Sequence, residues 1–223
     1  MMNKIELNSL NAIIDGIFLQ LRDNNISESE NLSRIQVEQW IHQYRALLLK
    51  QDLDKGRDVN PQYVQILGPL HISKISDCVG GYLYKSDNKL PKFIDLHFGT
   101  GLVWVKDMNG NLIQVGTETK AKYQTSRKYT CNDYIAYQKG EYLYLGGPGY
   151  LEWVQIGGIL EDPTKAEDCF DYDTTPYPIP ANMIPVLKQM IFARELNIML
   201  QMPTDNTNNS ANDVQNTQIK NGD

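Results

Sequence analysis

Residues Leu102–Val115 read LVWVKDMNGNLIQV. Two short apolar runs, Leu102–Val105 and Leu112–Val115, flank Asp107-Met108-Asn109-Gly110-Asn111. Asn and Gly both tolerate positive φ, and a type I′ turn needs that at its centre, so Asn109-Gly110 is a strong hairpin signal. This stretch breaks with the helical period of the N-terminal third and makes the middle of the chain β-structured. The change of period begins near Val64. A second hairpin is expected at Ile135–Gln138 and Tyr142–Leu145, turning at Lys139-Gly140. Alternation there puts Tyr142 and Tyr144 on one face and Leu143 and Leu145 on the other. Tyr150–Ile156 is a further candidate strand, giving a small antiparallel unit of five to seven strands.

Helical patterns flank this unit. Leu10, Ile13, Ile14, Ile17, Phe18 and Leu21 recur at offsets of three and four. After a polar loop, Ser33 and Gln36 fit a capping box, and Val37, Trp40, Ile41, Tyr44, Leu47 and Leu48 form the stripe of a second helix. That helix runs to about Lys55 and stops at Gly56. A third opens near Asn182, with Pro185 tolerable in its first turn, and shows Met183, Leu187, Met190, Ile191, Arg194 and Ile198 on one side. The expected fold class is therefore α+β: a helical bundle with an inserted antiparallel β lobe and an extended C-terminal arm. The expected divisions are an N-terminal helical hairpin (1–60), a β-rich insert (61–160), an acidic Pro-rich connector (161–181), a C-terminal helix completing the bundle (182–202) and a polar tail (203–223).

No chemical signature emerges. His42, His71 and His97 share no metal-ligand spacing. The acidic run Glu161, Asp162, Glu167, Asp168, Asp171 and Asp173 lacks the EF-hand spacing and its central Gly. Gly146-Gly147-Pro148-Gly149 is followed by no Lys-Ser or Lys-Thr, and Gly99-Thr100-Gly101 lacks the third glycine of a dinucleotide fingerprint. Cys131 could pair with a distant His as a nucleophile, but a small buried thiol is the commoner role. No catalytic, cofactor-binding or metal-binding residues are assigned, and the chain is read as a non-enzyme. Tyr82, Tyr84, Tyr123, Tyr129, Tyr134, Tyr137, Tyr142, Tyr144 and Tyr150 crowd the β region. They suit either a half-buried partner surface or cross-strand pairs within one sheet.

A net charge of −6 argues against a general nucleic-acid grip, which needs Lys and Arg to displace counterions. Cys78, Cys131 and Cys169 are odd in number and widely spaced, so reduced thiols made in a cytoplasm are expected. MMNKIELNSL lacks the apolar run of a signal peptide, and no run of about eighteen apolar residues predicts a membrane span. The last segment, PTDNTNNSANDVQNTQIKNGD, carries Val214 and Ile219 as its only sizeable apolar side chains. Such a segment cannot bury enough surface to offset its ordering entropy, so it is expected to order only along a partner. Pro203, Thr204, Asp205, Asn206, Asn208, Asn209, Asn212, Val214 and Ile219 are its candidate partner-binding residues.

Three runs together carry a resemblance: Val37–Arg57, Gly158–Pro180 and Met183–Asp205. They resemble structural neck proteins of crAss-like tailed bacteriophages of gut Bacteroidales, which look like the head-to-tail adaptor or ring class of short-tailed phages. The resemblance implies a virion protein, made in the bacterial host cytoplasm, that closes into a ring beneath the portal, commonly of about twelve copies. It implies a helical bundle from the helices at Leu10–Leu21, Val37–Leu48 and Met183–Ile198, and Pro203–Asp223 as the arm that docks on the portal. The implied partners are further copies, the portal, other neck and tail rings, and packaged DNA sliding past without sequence recognition. No cofactor and no membrane are implied. A second reading is a tail-associated module whose β lobe recruits fibre or cargo proteins.

Overall fold

The computed structural model describes residues 8–23, 32–78, 81–97, 99–124, 133–166 and 169–196. Its organising unit is a closed seven-stranded barrel. This overturns the expected helical bundle with an inserted lobe: the chain is mostly β, and only a few short helices accompany the barrel. Among the described residues the helices are α1 (Leu10–Asp23), α2 (Arg34–Leu53), α3 (Glu118–Gln124) and α4 (Ile184–Ile191). The strands are β1 (Gln65–Cys78), β2 (Gly81–Ser86), β3 (Asp95–Leu96), β4 (Gly99–Thr100), β5 (Leu102–Asp107), β6 (Leu112–Val115), β7 (Ile135–Lys139), β8 (Tyr142–Gly147) and β9 (Trp153–Gly158). Around the barrel the order is β1-β2-β8-β7-β6-β5-β9, and β3 and β4 pair apart from it.

Closure depends on β1. Its first half pairs with β9 (Ile66 opposite Gly157) and its second half with β2 (Lys74 opposite Tyr84). The register shifts between Leu67 and Leu70, around Gly68-Pro69, and again between Lys74 and Ser76. Irregularities of this kind bend a strand, which lets one strand belong to two walls. The Gly-Pro pair also disguises the strand in the sequence, because proline demotes a run to an edge or a bulge.

The barrel is not wholly antiparallel, as the sequence reading expected. β6 pairs with β7 in parallel, Gln114 opposite Ile135. Parallel neighbours need a crossover, and the connection carrying α3 supplies it. The hairpin at Asn109-Gly110 is present between β5 and β6, with Gly110 at φ 87°. Asp107 Oδ1 accepts from the Asn109 and Asn111 backbone N–H groups at 2.9 and 2.8 Å, fixing the turn. The second hairpin joins β7 and β8 at Gly140, φ 61°.

Inward-facing residues fill the barrel. Leu67, Ile72, Tyr84, Val105, Leu143, Leu145, Val154 and Ile156 are buried in one cluster. A second core joins α1, α2, α4 and the connector through Leu10, Ile14, Ile41, Tyr177, Leu187 and Ile191. Leu49 and Leu53 of α2 meet Tyr63, Ile94 and Ile159 in a third cluster that seats this helical layer on the barrel. Ser33 stands at the N-cap of α2, yet its side chain makes no capping bond; the Gln36 N–H donates to the Ser33 carbonyl instead, at 3.0 Å. The stripe of α2 is also rotated from the expected one, since Arg45 and Leu49 are fully buried and Leu47 and Leu48 only partly. Beyond α4 the chain widens into a π-helical turn over Phe192–Leu196. No described helix is long and apolar enough to cross a membrane.

Candidate functional site

Two places concentrate function-bearing side chains: a buried polar clamp between the helical layer and the barrel, and the outer walls of the barrel. The clamp centres on Arg45. It follows Ile41 and precedes Leu49 by four residues, so helical geometry carries it inward with them. Its side chain is fully buried. Nε donates to the Pro178 carbonyl and Nη1 to the Leu160 carbonyl, both at 2.8 Å. The guanidinium carbon lies 5.6 Å from the centre of the Tyr177 ring. Burial lowers the Arg45 pKa, but a guanidinium remains charged in a protein. One planar fork thus pins both ends of the acidic connector, at residues 160 and 178, to α2.

His42 stands beside it. Its Nδ1 lies 2.8 Å from the Tyr177 hydroxyl, while Nε2 is 3.5 Å from Asp162 Oδ1 and 3.6 Å from Glu38 Oε1. Burial drives the Tyr177 pKa upward, so the phenol stays protonated and donates to Nδ1. That leaves the Nε2–H facing two carboxylates. Burial also pushes the His42 pKa below its ordinary value, against the opposing pull of Asp162 and Glu38. The folded state therefore binds this proton less readily than the unfolded chain. The contribution is full above the unfolded pKa of 6.5 and declines as pH falls through that value toward the lower folded one. His42→Gln is expected to flatten the fall in urea midpoint between about pH 7.5 and 5.5. Equal slopes in parent and variant would contradict this assignment.

Beside the clamp, a cavity of 520 Å³ opens between the start of β1 and the connector, with Gln62, Ile66, Pro163, Phe170, Pro176 and Tyr177 among its lining. Four of its lining residues are prolines, which shape its walls without adding charge.

On the outer wall of β5, β9 and β1, Trp104 lies flat over Gly157. A Cβ on Gly157 would come within 2.2 Å of the indole, so only glycine permits this seating. Lys106 Nζ sits 4.6 Å from the Trp104 ring centre. Four residues earlier, at the start of β9, Trp153 packs edge-on against His71 at 4.8 Å, and it remains 41% exposed. Tyr150, 77% exposed, bonds Glu152 just before the strand, and Ile66 is 55% exposed. The opposite wall, β2, β8 and β7, lies under α3. There Tyr137 and Tyr144 stack in register at 5.4 Å, Lys85 lies over Tyr142 at 3.6 Å, and Glu118 binds both Lys122 (2.9 Å) and Lys139 (3.0 Å).

The tyrosines differ in burial. Tyr84, Tyr137 and Tyr144 are packed within the barrel or under α3, while Tyr82, Tyr123 and Tyr150 face outward; Tyr129 lies outside the described residues. The candidate arm residues Pro203, Thr204, Asp205, Asn206, Asn208, Asn209, Asn212, Val214 and Ile219 also lie outside them, as does Cys131. Among the described residues no three of the His, Cys, Asp and Glu side chains converge as a metal site; Glu167 and Asp168 of the acidic run lie outside them. The histidines are dispersed: His42 in the clamp, His71 against Asp87 and Trp153, and His97 near α2, where its N–H donates to Asp54 Oδ1. Arg45, Tyr177 and Trp104 were missed by sequence reasoning. The one available signal was an arginine at helical spacing between Ile41 and Leu49.

A filled barrel with a helical layer clamped to it leaves its outer walls available for contact. Set against known families, residues 12–214 match phage tail ring protein 2. The chain belongs to that family, the neck and tail ring proteins of crAss-like phages. It is thus a structural component of the phage virion. No curated protein matches it.

Proposed function

We propose that copies of this chain close into a ring in the phage neck that connects the portal to the tail and passes DNA. The packed barrel interior carries this reading. Side chains fill the barrel, so a conduit for DNA arises only between copies, around the axis of a ring. Each copy contacts two neighbours heterologously, and twelve-fold closure, at about the size of the portal, is the expected symmetry. Residues 64–158 carry ten Lys and Arg against eight Asp and Glu, whereas the rest of the chain carries eleven against nineteen. A chain of net charge −6 suits a lumen along which DNA slides, because acidic walls repel phosphate and avoid sticking.

The arm Pro203–Asp223 docks on the portal, with its Asn side chains and backbone supplying hydrogen bonds and repetition around the ring supplying avidity. Deleting residues 204–223 is expected to leave the thermal transition intact and to abolish co-sedimentation with portal-bearing heads. A truncated chain that unfolds, or that docks as before, would sink the arm's role. The exposed Trp153 and Tyr150 favour a second reading, in which the barrel recruits fibre or cargo proteins.

A further inference from the structure

We propose that the two opposed walls of the barrel are the two halves of the contact between neighbouring copies. The α3 wall of one copy seats on the β5–β9–β1 wall and acidic connector of the next. This rests on the ring reading and assigns the surfaces that build it.

Topology supplies the first argument. In the order β1-β2-β8-β7-β6-β5-β9, the strand diametrically across from β9 falls between β8 and β7, the pair under α3. Ring contacts are heterologous, so each subunit must present two different, complementary surfaces facing roughly away from each other. Walls on opposite sides of one rigid barrel meet that need.

Charge supplies the second. Lys89 offsets Glu141 at the β7–β8 turn, and on the α3 wall Lys85, Lys120, Lys122 and Lys139 gather around Glu118. That carboxylate is shared by two ammonium groups, so the wall stays net positive. On the other side, the connector packs its short 3-10 turn, Pro163–Ala166, against β1. It continues into the exposed Asp171, Tyr172 and Asp173. This acidic tip is held in place. The Asn11 N–H donates to the Tyr172 carbonyl at 3.1 Å, and Asn11 Nδ2 donates to Asp173 Oδ1 at 2.7 Å. A pre-positioned acidic loop loses little ordering entropy on docking.

The third argument is the anchors. Trp153 and Tyr150 are exposed on one wall and Tyr123, 65% exposed, on the other. Trp and Tyr are the residues that dominate buried interface centres. A copy of this chain supplies the lysines that complement the connector and an aromatic to meet the indole.

The test uses two full-length charge-reversed variants, Lys120→Glu/Lys122→Glu and Asp171→Lys/Asp173→Lys, supplied in trans to a phage lacking its own copy. Incorporation into purified virions is measured. In rings of either variant alone, every contact opposes like charges, and incorporation is expected to fall roughly tenfold or more. Supplied together, the two can alternate around the ring with every contact complementary, and incorporation is expected to return. Trp153→Ala and Tyr123→Ala, at exposed positions that leave the fold intact, are each expected to reduce incorporation. Normal incorporation of either charge variant alone, or no recovery in the mixture from variants with parental thermal transitions, overturns the proposal. So does incorporation of both aromatic variants at the parental level. Absence of the parent chain from virions would instead refute the ring reading itself.

Discussion

Arg45→Ala is expected to cost about 3–5 kcal/mol, among the largest single losses the chain can show. The substitution removes the donors that satisfy the Pro178 and Leu160 carbonyls. Each carbonyl left buried without a donor costs about 1–3 kcal/mol, and the vacated volume adds a packing loss. Arg45→Lys is expected to recover only part of this, because a single ammonium cannot span two carbonyls that a planar fork reaches at once. Urea unfolding of the two variants measures it. A loss under about 1 kcal/mol for alanine would mean that packing, not the clamp, joins the layers. The effect should also be local in origin. With the connector released at residues 160 and 178, hydrogen exchange is expected to accelerate first across the connector and α2, before the barrel strands.

Ile156→Ala is expected to cost about 2–5 kcal/mol through the other core. Ile156 is fully buried and sits in register between Leu67 of β1 and Val105 of β5, at the seam where the barrel closes. The next two residues on β9, Gly157 and Gly158, leave space that Trp104 and Phe93 already fill. These bulky rings limit how far the wall can collapse into the new cavity, which places the loss toward the upper end of that range. Calorimetry would show one transition lowered as a whole if barrel and helical layer unfold together. A variant with parental stability would mean that the barrel seam carries little of the fold.

The sequence disclosed the local elements better than their assembly. Hairpins at Gly110 and Gly140 were legible because tight turns are specified by the residues within them. Helices at Leu10–Asp23 and Arg34–Leu53 were legible through apolar spacing. Barrel closure was not legible. It hangs on β1, whose Gly68-Pro69 interruption hides a strand, and on a parallel β6–β7 pair that no local pattern announces. Reading strong helices at both ends therefore gave the helices a dominance that the structure assigns to the barrel. The clamp was hidden for a related reason. Arg45 reads as a charged residue on a helix, and only the return of the chain at residues 160 and 178 makes it a buried fork. The outer-wall tryptophan was likewise invisible, since Trp104 depends on a glycine more than fifty residues away.

The central claim is that copies of this barrel surround a common axis. Electron cryomicroscopy of the virion neck tests it most directly. The expected result is a closed ring of copies whose barrels are individually filled and joined wall to wall. Copies found singly on peripheral fibres, or a DNA path through the interior of one barrel, would contradict the account.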